Sequence, residues 1–97
     1  MPTYVLLLNW TEQGVRNFKD TVDRYESARS SFDGKGLSFK DVYWTMGEHD
    51  LVAVVEAPDD EAVAAAGLGL AAQGNLRVTT MRAFSSDEMR GVIAKAG

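Results

Sequence analysis

The sequence predicts an α+β fold: a four-stranded antiparallel sheet in the order β-α-β-β-α-β, helices on one face, and an extra helix at the C-terminal end. Three observations carry that expectation. Four short β-rich segments alternate with amphipathic or alanine-rich stretches and one loop of hairpin length. The helical stretches open on capping residues and close on glycines. Two of the β-rich segments are apolar through their middles while the other two carry charges, which separates central strands from edge strands.

Thr3 to Trp10 (TYVLLLNW) reads as the first strand. Thr11 can cap the following helix, with Glu12 suited to its positive first turn. Val15, Phe18, Val22, Tyr25, Ala28 and Phe32 then recur every three or four residues, the spacing of one buried helical face. Thr21 offers a break in that helix, and Asp33-Gly34-Lys35-Gly36 ends it. Leu37 to Met46 and Leu51 to Ala57 read as antiparallel neighbours joined by Gly47-Glu48-His49-Asp50. Pro58 stops the third strand and Asp59 caps a helix over Ala62 to Ala72 that Gly74 closes. Asn75 to Ala83 gives the fourth strand. Ser85-Ser86-Asp87-Glu88 has capping-box spacing and opens a last helix with Met89, Val92 and Ile93 on its apolar face. This order is ferredoxin-like and places the strands 4-1-3-2 across the sheet.

At 97 residues, 45% hydrophobic and 25% charged, the chain fits one domain over residues 1–97 and neither a disordered nor a fibrous protein. With no cysteine and one histidine, a disulfide framework and a Cys/His zinc site are excluded within one chain, and no metal or cofactor is expected. Apolar runs such as Val5 to Leu8 are far shorter than the ~20 residues of a membrane span. Met1-Pro2-Thr3 leads straight into strand-like sequence without a signal-peptide pattern, so the expected location is cytoplasmic. A net charge of −4 with scattered Lys and Arg argues against nucleic acid as a partner.

An antiparallel sheet with one wet face alternates apolar and polar residues. Here Val5 and Leu7 oppose Leu6 and Leu8, and Val52 and Val54 oppose Ala53 and Val55, so both faces of the central strands are apolar. Two helices cover one face only. Four strands present about 400 Å² on the other, at the upper end of what soluble monomers expose. The economical cover is a second copy packed sheet to sheet, giving a homodimer or higher oligomer. A C-terminal helix folded over that face is the competing expectation.

The stretches YVLLLNWTEQGVRNFKD, TMGEHDLVAVVEAPDDE and GNLRVTTMRAFSSDE together resemble the GYD domain family over nearly the whole chain. That resemblance implies a ferredoxin-like dimeric α/β barrel and says little about activity. Gly47 and Asp50 match the naming motif, but His49 stands at the position of its tyrosine.

In strand order 4-1-3-2, one end of the sheet gathers Asn9, Trp10, Thr45, Met46, His49, Asp50, Asn75 and Arg77. Asn9, Trp10, His49, Asp50 and Arg77 are the ligand-binding candidates. His49 is the candidate acid–base group because imidazole titrates near neutrality, with Asp50 able to orient it or to hold Arg77. The plainer reading makes Gly47 and Asp50 turn residues, His49 a solvated side chain and Trp10 a core plug. At the opposite end lie Tyr4, Phe39, Glu56, Arg82 and Phe84, where Glu56 and Arg82 are expected to pair across the first strand. Gly67-Leu68-Gly69-Leu70-Ala71-Ala72 mimics a dinucleotide fingerprint, but it sits inside a helix instead of between strand and helix. Its small residues suit a close approach of this helix to the sheet or to a neighbouring subunit. Asp59-Asp60-Glu61 reads as a cap, not a metal site.

No nucleophile–base pair, metal cluster or phosphate loop stands out. The expected function is therefore a homo-oligomeric small-molecule-binding or structural interaction module. The alternative is a cofactor-independent enzyme, an isomerase or monooxygenase acting on a small aromatic or polyketide-like compound, which rests on fold analogy. An enclosed apolar pocket reached by His49 or Arg77 would favour the enzyme or a ligand sensor.

Overall fold

A computed structural model describes residues 1–97. Strand β1 (Thr3–Trp10) leads into a short helix α1 (Glu12–Arg16), a 3-10 turn (Phe18–Asp20) and helix α2 (Thr21–Gly34). Strands β2 (Ser38–Trp44) and β3 (Leu51–Glu56) form a hairpin, followed by α3 (Asp60–Ala72), β4 (Leu76–Ala83) and α4 (Ser86–Ala96). The sheet is antiparallel throughout, in the order β2-β3-β1-β4, as the apolar runs of β1 and β3 require. The fold is thus the ferredoxin-like α+β arrangement.

Alternation along the central strands sets two faces. Tyr4, Leu6 and Leu8 of β1 and Leu51, Ala53 and Val55 of β3 are buried against the helices, where Phe32, Val63 and Ala66 meet them. Phe39 stacks on Phe32 at 4.6 Å and takes the edge of Tyr25 at 5.5 Å, which seats α2 over the hairpin. The opposite face carries Val5, Leu7, Val52, Val54, Tyr43 and Met81 in register.

The long amphipathic helix divides. The 3-10 turn shifts the helical phase, so Val15, Phe18 and Val22 are exposed and the inward stripe of α2 is Tyr25, Ala28 and Phe32. Close backbone approach also occurs away from the expected place. A Cβ on Gly67 would meet its nearest neighbour at an ordinary 3.7 Å, whereas one on Gly14 would lie 2.1 Å from the Asn75 carbonyl oxygen. Gly14 lets α1 settle on the α3–β4 turn. There Thr11 Oγ1 donates to the Gly74 carbonyl at 2.5 Å, Gln13 Nε2 to Asn75 Oδ1 at 3.0 Å, and the Thr11 N–H to the Asn75 carbonyl at 3.0 Å.

Helix α4 does not fold over the open sheet face. Every one of its residues is exposed, although its capping box is complete: Glu88 N–H donates to Ser85 Oγ, and Ser85 N–H donates to Glu88 Oε1. The chain consequently measures 50 × 31 × 19 Å with a radius of gyration of 14.5 Å, against about 12.5 Å for a compact domain of this length. Its accessible surface is 6342 Å², against about 5,500 Å² for a typical monomer of this mass.

Candidate functional site

The hairpin end of the sheet does bring most of the expected residues together, but on two faces. Asn9 and Arg77 are register partners on the open face. His49 Nδ1 lies 2.9 Å from Asn9 Oδ1, and Asn9 Nδ2 donates to the Glu48 carbonyl at 2.7 Å, so Asn9 holds the loop through both ends of its amide. Asp50 serves the backbone: its Oδ2 accepts the Trp10 N–H at 2.9 Å, and its own N–H donates to the Leu8 carbonyl at 2.9 Å. It neither orients His49 nor pairs with Arg77. The Trp10 indole points to the helix side, in line with Tyr4, Leu6 and Leu8, and is separated by the sheet from Asn9, His49 and Arg77. Met46 stands in solvent at 97% exposure.

The far end also differs from expectation. Glu56 takes Lys40 at 3.2 Å and Arg82 takes Glu88 at 3.3 Å, so the pair expected across β1 does not form. The register explains this: Glu56 is opposite Thr3 on the open face, while Arg82 is opposite Tyr4 on the helix face. A bulge between Phe39 and Asp41 brings Lys40 to Glu56. The Arg82 guanidinium lies over the Phe84 ring at 4.6 Å and the Tyr4 ring at 5.7 Å. Tyr4 Oη donates to Asp60 Oδ1 at 2.5 Å, which ties β1 to the first turn of α3. That hydrogen bond, and then burial, raise the phenol above its ordinary value of 10.0. Glu88 is held below the ordinary 4.5, first by the Ser85 N–H and then by Arg82.

Between the sheet and α2 lies a pocket of about 40 Å³, lined mainly by apolar side chains including Trp10, Tyr25, Leu51 and Leu76. Neither His49 nor Arg77 lines it. Arg24 does, and sequence reading overlooked it. The signal was present, since Thr21, Arg24 and Ala28 recur at i, i+3 and i+7 and share a face with Tyr25. No cluster of His, Cys, Asp and Glu side chains suited to a metal ion occurs, and Asp59 caps α3 by accepting the Ala62 N–H at 2.8 Å.

Residues 4–93 match the profile of the GYD domain. This chain belongs to the GYD domain family. A protein of Thermus thermophilus, named a glutamine synthetase and cystathionine beta-lyase binding protein, is 31% identical to it over 85 residues, 87% of this chain and 90% of the relative.

Set against the geometry, the family's naming motif divides into separate tasks in this chain. Gly47 has φ +106°, a conformation that favours glycine, and turns the hairpin. Asp50 ties that hairpin to β1 through both its backbone and its side chain. His49, at the tyrosine position, contributes the contact with Asn9 instead.

Proposed function

We propose that this GYD-family chain is a single-domain, cytoplasmic, homo-oligomeric interaction module whose open sheet face is closed by a second copy. The observation that carries this reading is the uncovered apolar face of β1 and β3, with Val5, Leu7, Val52 and Val54 at its centre. The chain exposes roughly 850 Å² more than a monomer of its mass. A standard protein interface buries about 800 Å² on each partner, so one sheet-to-sheet contact accounts for the excess. Asn9, His49 and Arg77 then border the contact as a polar rim, a role in recognition and not in acid–base chemistry.

The Thermus thermophilus relative carries the binding of enzymes in its name, and this chain is proposed to dock protein partners of that kind. A cofactor-independent enzyme finds less support, because the pocket excludes His49 and Arg77. Its 40 Å³ is also far below the roughly 150 Å³ of a cavity that holds benzene. Size-exclusion chromatography of the purified chain mixed with glutamine synthetase from the same cell tests the docking. Co-elution supports it, and separate elution at micromolar concentrations of both proteins contradicts it for that partner.

A further inference from the structure

Two buried donors in the molecule have no partner: the Trp10 indole Nε1 and the Arg24 guanidinium Nη2. Both belong to residues that line the same small pocket between β1 and α2. Arg24 is anchored at its other nitrogen, where Nη1 donates to the Asn17 carbonyl at 2.7 Å, so its position is set without any contribution from the pocket. None of the chain's salt bridges involves Arg24, and no carboxylate reaches within 4.0 Å of it. Of the four other polar side chains on the lining, Tyr25 and Gln73 pair with neither donor, and Thr21 and Asn75 are committed elsewhere. Thr21 Oγ1 accepts from the Trp44 indole at 3.0 Å, and Asn75 Oδ1 accepts from Gln13 at 3.0 Å.

A buried donor left unpaired costs free energy, and a guanidinium with no counter-charge costs more. Water can satisfy hydrogen bonds but supplies no charge. One guanidinium nitrogen and an indole N–H, both unpartnered on residues that line one mostly apolar pocket, suit a carboxylate, which can accept from both donors and neutralises the guanidinium. Size narrows the class further. About 40 Å³ exceeds the 10–15 Å³ needed by one water but leaves no room for an aromatic ring.

We propose that this pocket is a binding site for a short aliphatic carboxylate, with the carboxylate on Arg24 and Trp10 and its one or two carbons against Leu51 and Leu76. The site supplies a ligand for the small-molecule half of the binding-module reading. It lies on the helix side of the sheet, so it does not depend on the contact that closes the open face.

The test is an NMR titration of the full ¹⁵N-labelled chain with sodium acetate and sodium propionate at constant ionic strength, following the two tryptophan indole signals. Trp10→Phe assigns the Trp10 signal by removing it. Acetamide serves as the neutral isostere, benzoate as the oversized acid, and sodium chloride as the plain anion. The expected result is a saturable shift of the Trp10 indole with acetate or propionate, at least tenfold weaker with acetamide or benzoate, and lost in a natively folded Arg24→Met variant. No shift even at tens of millimolar acetate and propionate overturns the proposal, as does an equal response to chloride or an unchanged titration in Arg24→Met. Should Arg24→Met fail to fold, the acetate–acetamide–chloride comparison on the unaltered chain decides alone. The same samples report the rotational correlation time, so loss of the carboxylate site is distinguishable from loss of the oligomer.

Discussion

Gly14 occupies a place where any side chain collides with backbone, because the Asn75 carbonyl oxygen would lie 2.1 Å from its Cβ. Backbone cannot rotate away as a flexible side chain can, and overpacking of this kind costs about 2 kcal/mol or more. For a chain of this size that is roughly a 10 °C loss in Tm. Gly14→Ala is therefore expected to unfold at least that much earlier in thermal melts; a Tm within a degree or two of the unaltered chain contradicts the packing described for α1. Gly69→Ala serves as the control, since nothing lies within 4 Å of a Cβ there. This contrast was not legible in the sequence. Gly67 and Gly69 advertise close packing by lying in an alanine-rich run, while Gly14 looks like a weak spot in a helix. The decisive neighbour, Asn75, is distant along the chain and is brought there only by the return of α3 into β4. The candidate site shows the same division. Strand order gathers Asn9, His49 and Asp50 at one end of the sheet, but their hydrogen-bond partners depend on loop geometry. Arg24 was hidden because a charged residue on a helix is ordinarily assigned to the solvent side.

Elements are joined here by few polar contacts, and the Tyr4–Asp60 hydrogen bond between β1 and α3 carries a pH signature on the alkaline side. Tyr4 is protonated when it donates to the carboxylate, and its folded value lies above the unfolded 10.0. The contribution is therefore fully present below about pH 10 and is lost as pH rises through the higher folded value, because the unfolded chain releases its proton first. Melting temperatures measured between pH 8 and pH 12 are expected to fall more steeply for the unaltered chain than for Tyr4→Phe over the alkaline part of that range. Parallel curves contradict the assignment. At this scale the sequence was most informative: β-rich runs bounded by turn residues located every strand, period-3.6 spacing and capping residues located the main helices, and Ser85-x-x-Glu88 foretold the capping box of α4. The exception was the stretch from Val15 to Val22, where the apolar spacing continued across a 3-10 turn that changes its direction. Spacing alone carries no information about such a change of phase.

Across the whole molecule the dominant feature is surface that a chain of this size does not ordinarily leave open. The helices cover one side of the sheet, α4 stands clear of the other, and the apolar pairs Val5–Val54 and Leu7–Val52 are left at the centre of an uncovered face. The sequence conveyed the need for a cover through its two-faced central strands. It could not say whether α4 would provide it, because an amphipathic helix of that composition fits an intramolecular or an intermolecular surface equally well. With α4 excluded, a second copy is the proposed occupant, and the docking of protein partners is proposed to act from that assembly. Multi-angle light scattering of the purified chain at micromolar concentration tests this most directly. The expected result is a particle of at least twice 10.6 kDa, reduced toward one copy by Val54→Asp at the centre of the face; a particle of 10.6 kDa for the unaltered chain contradicts a second copy as the cover.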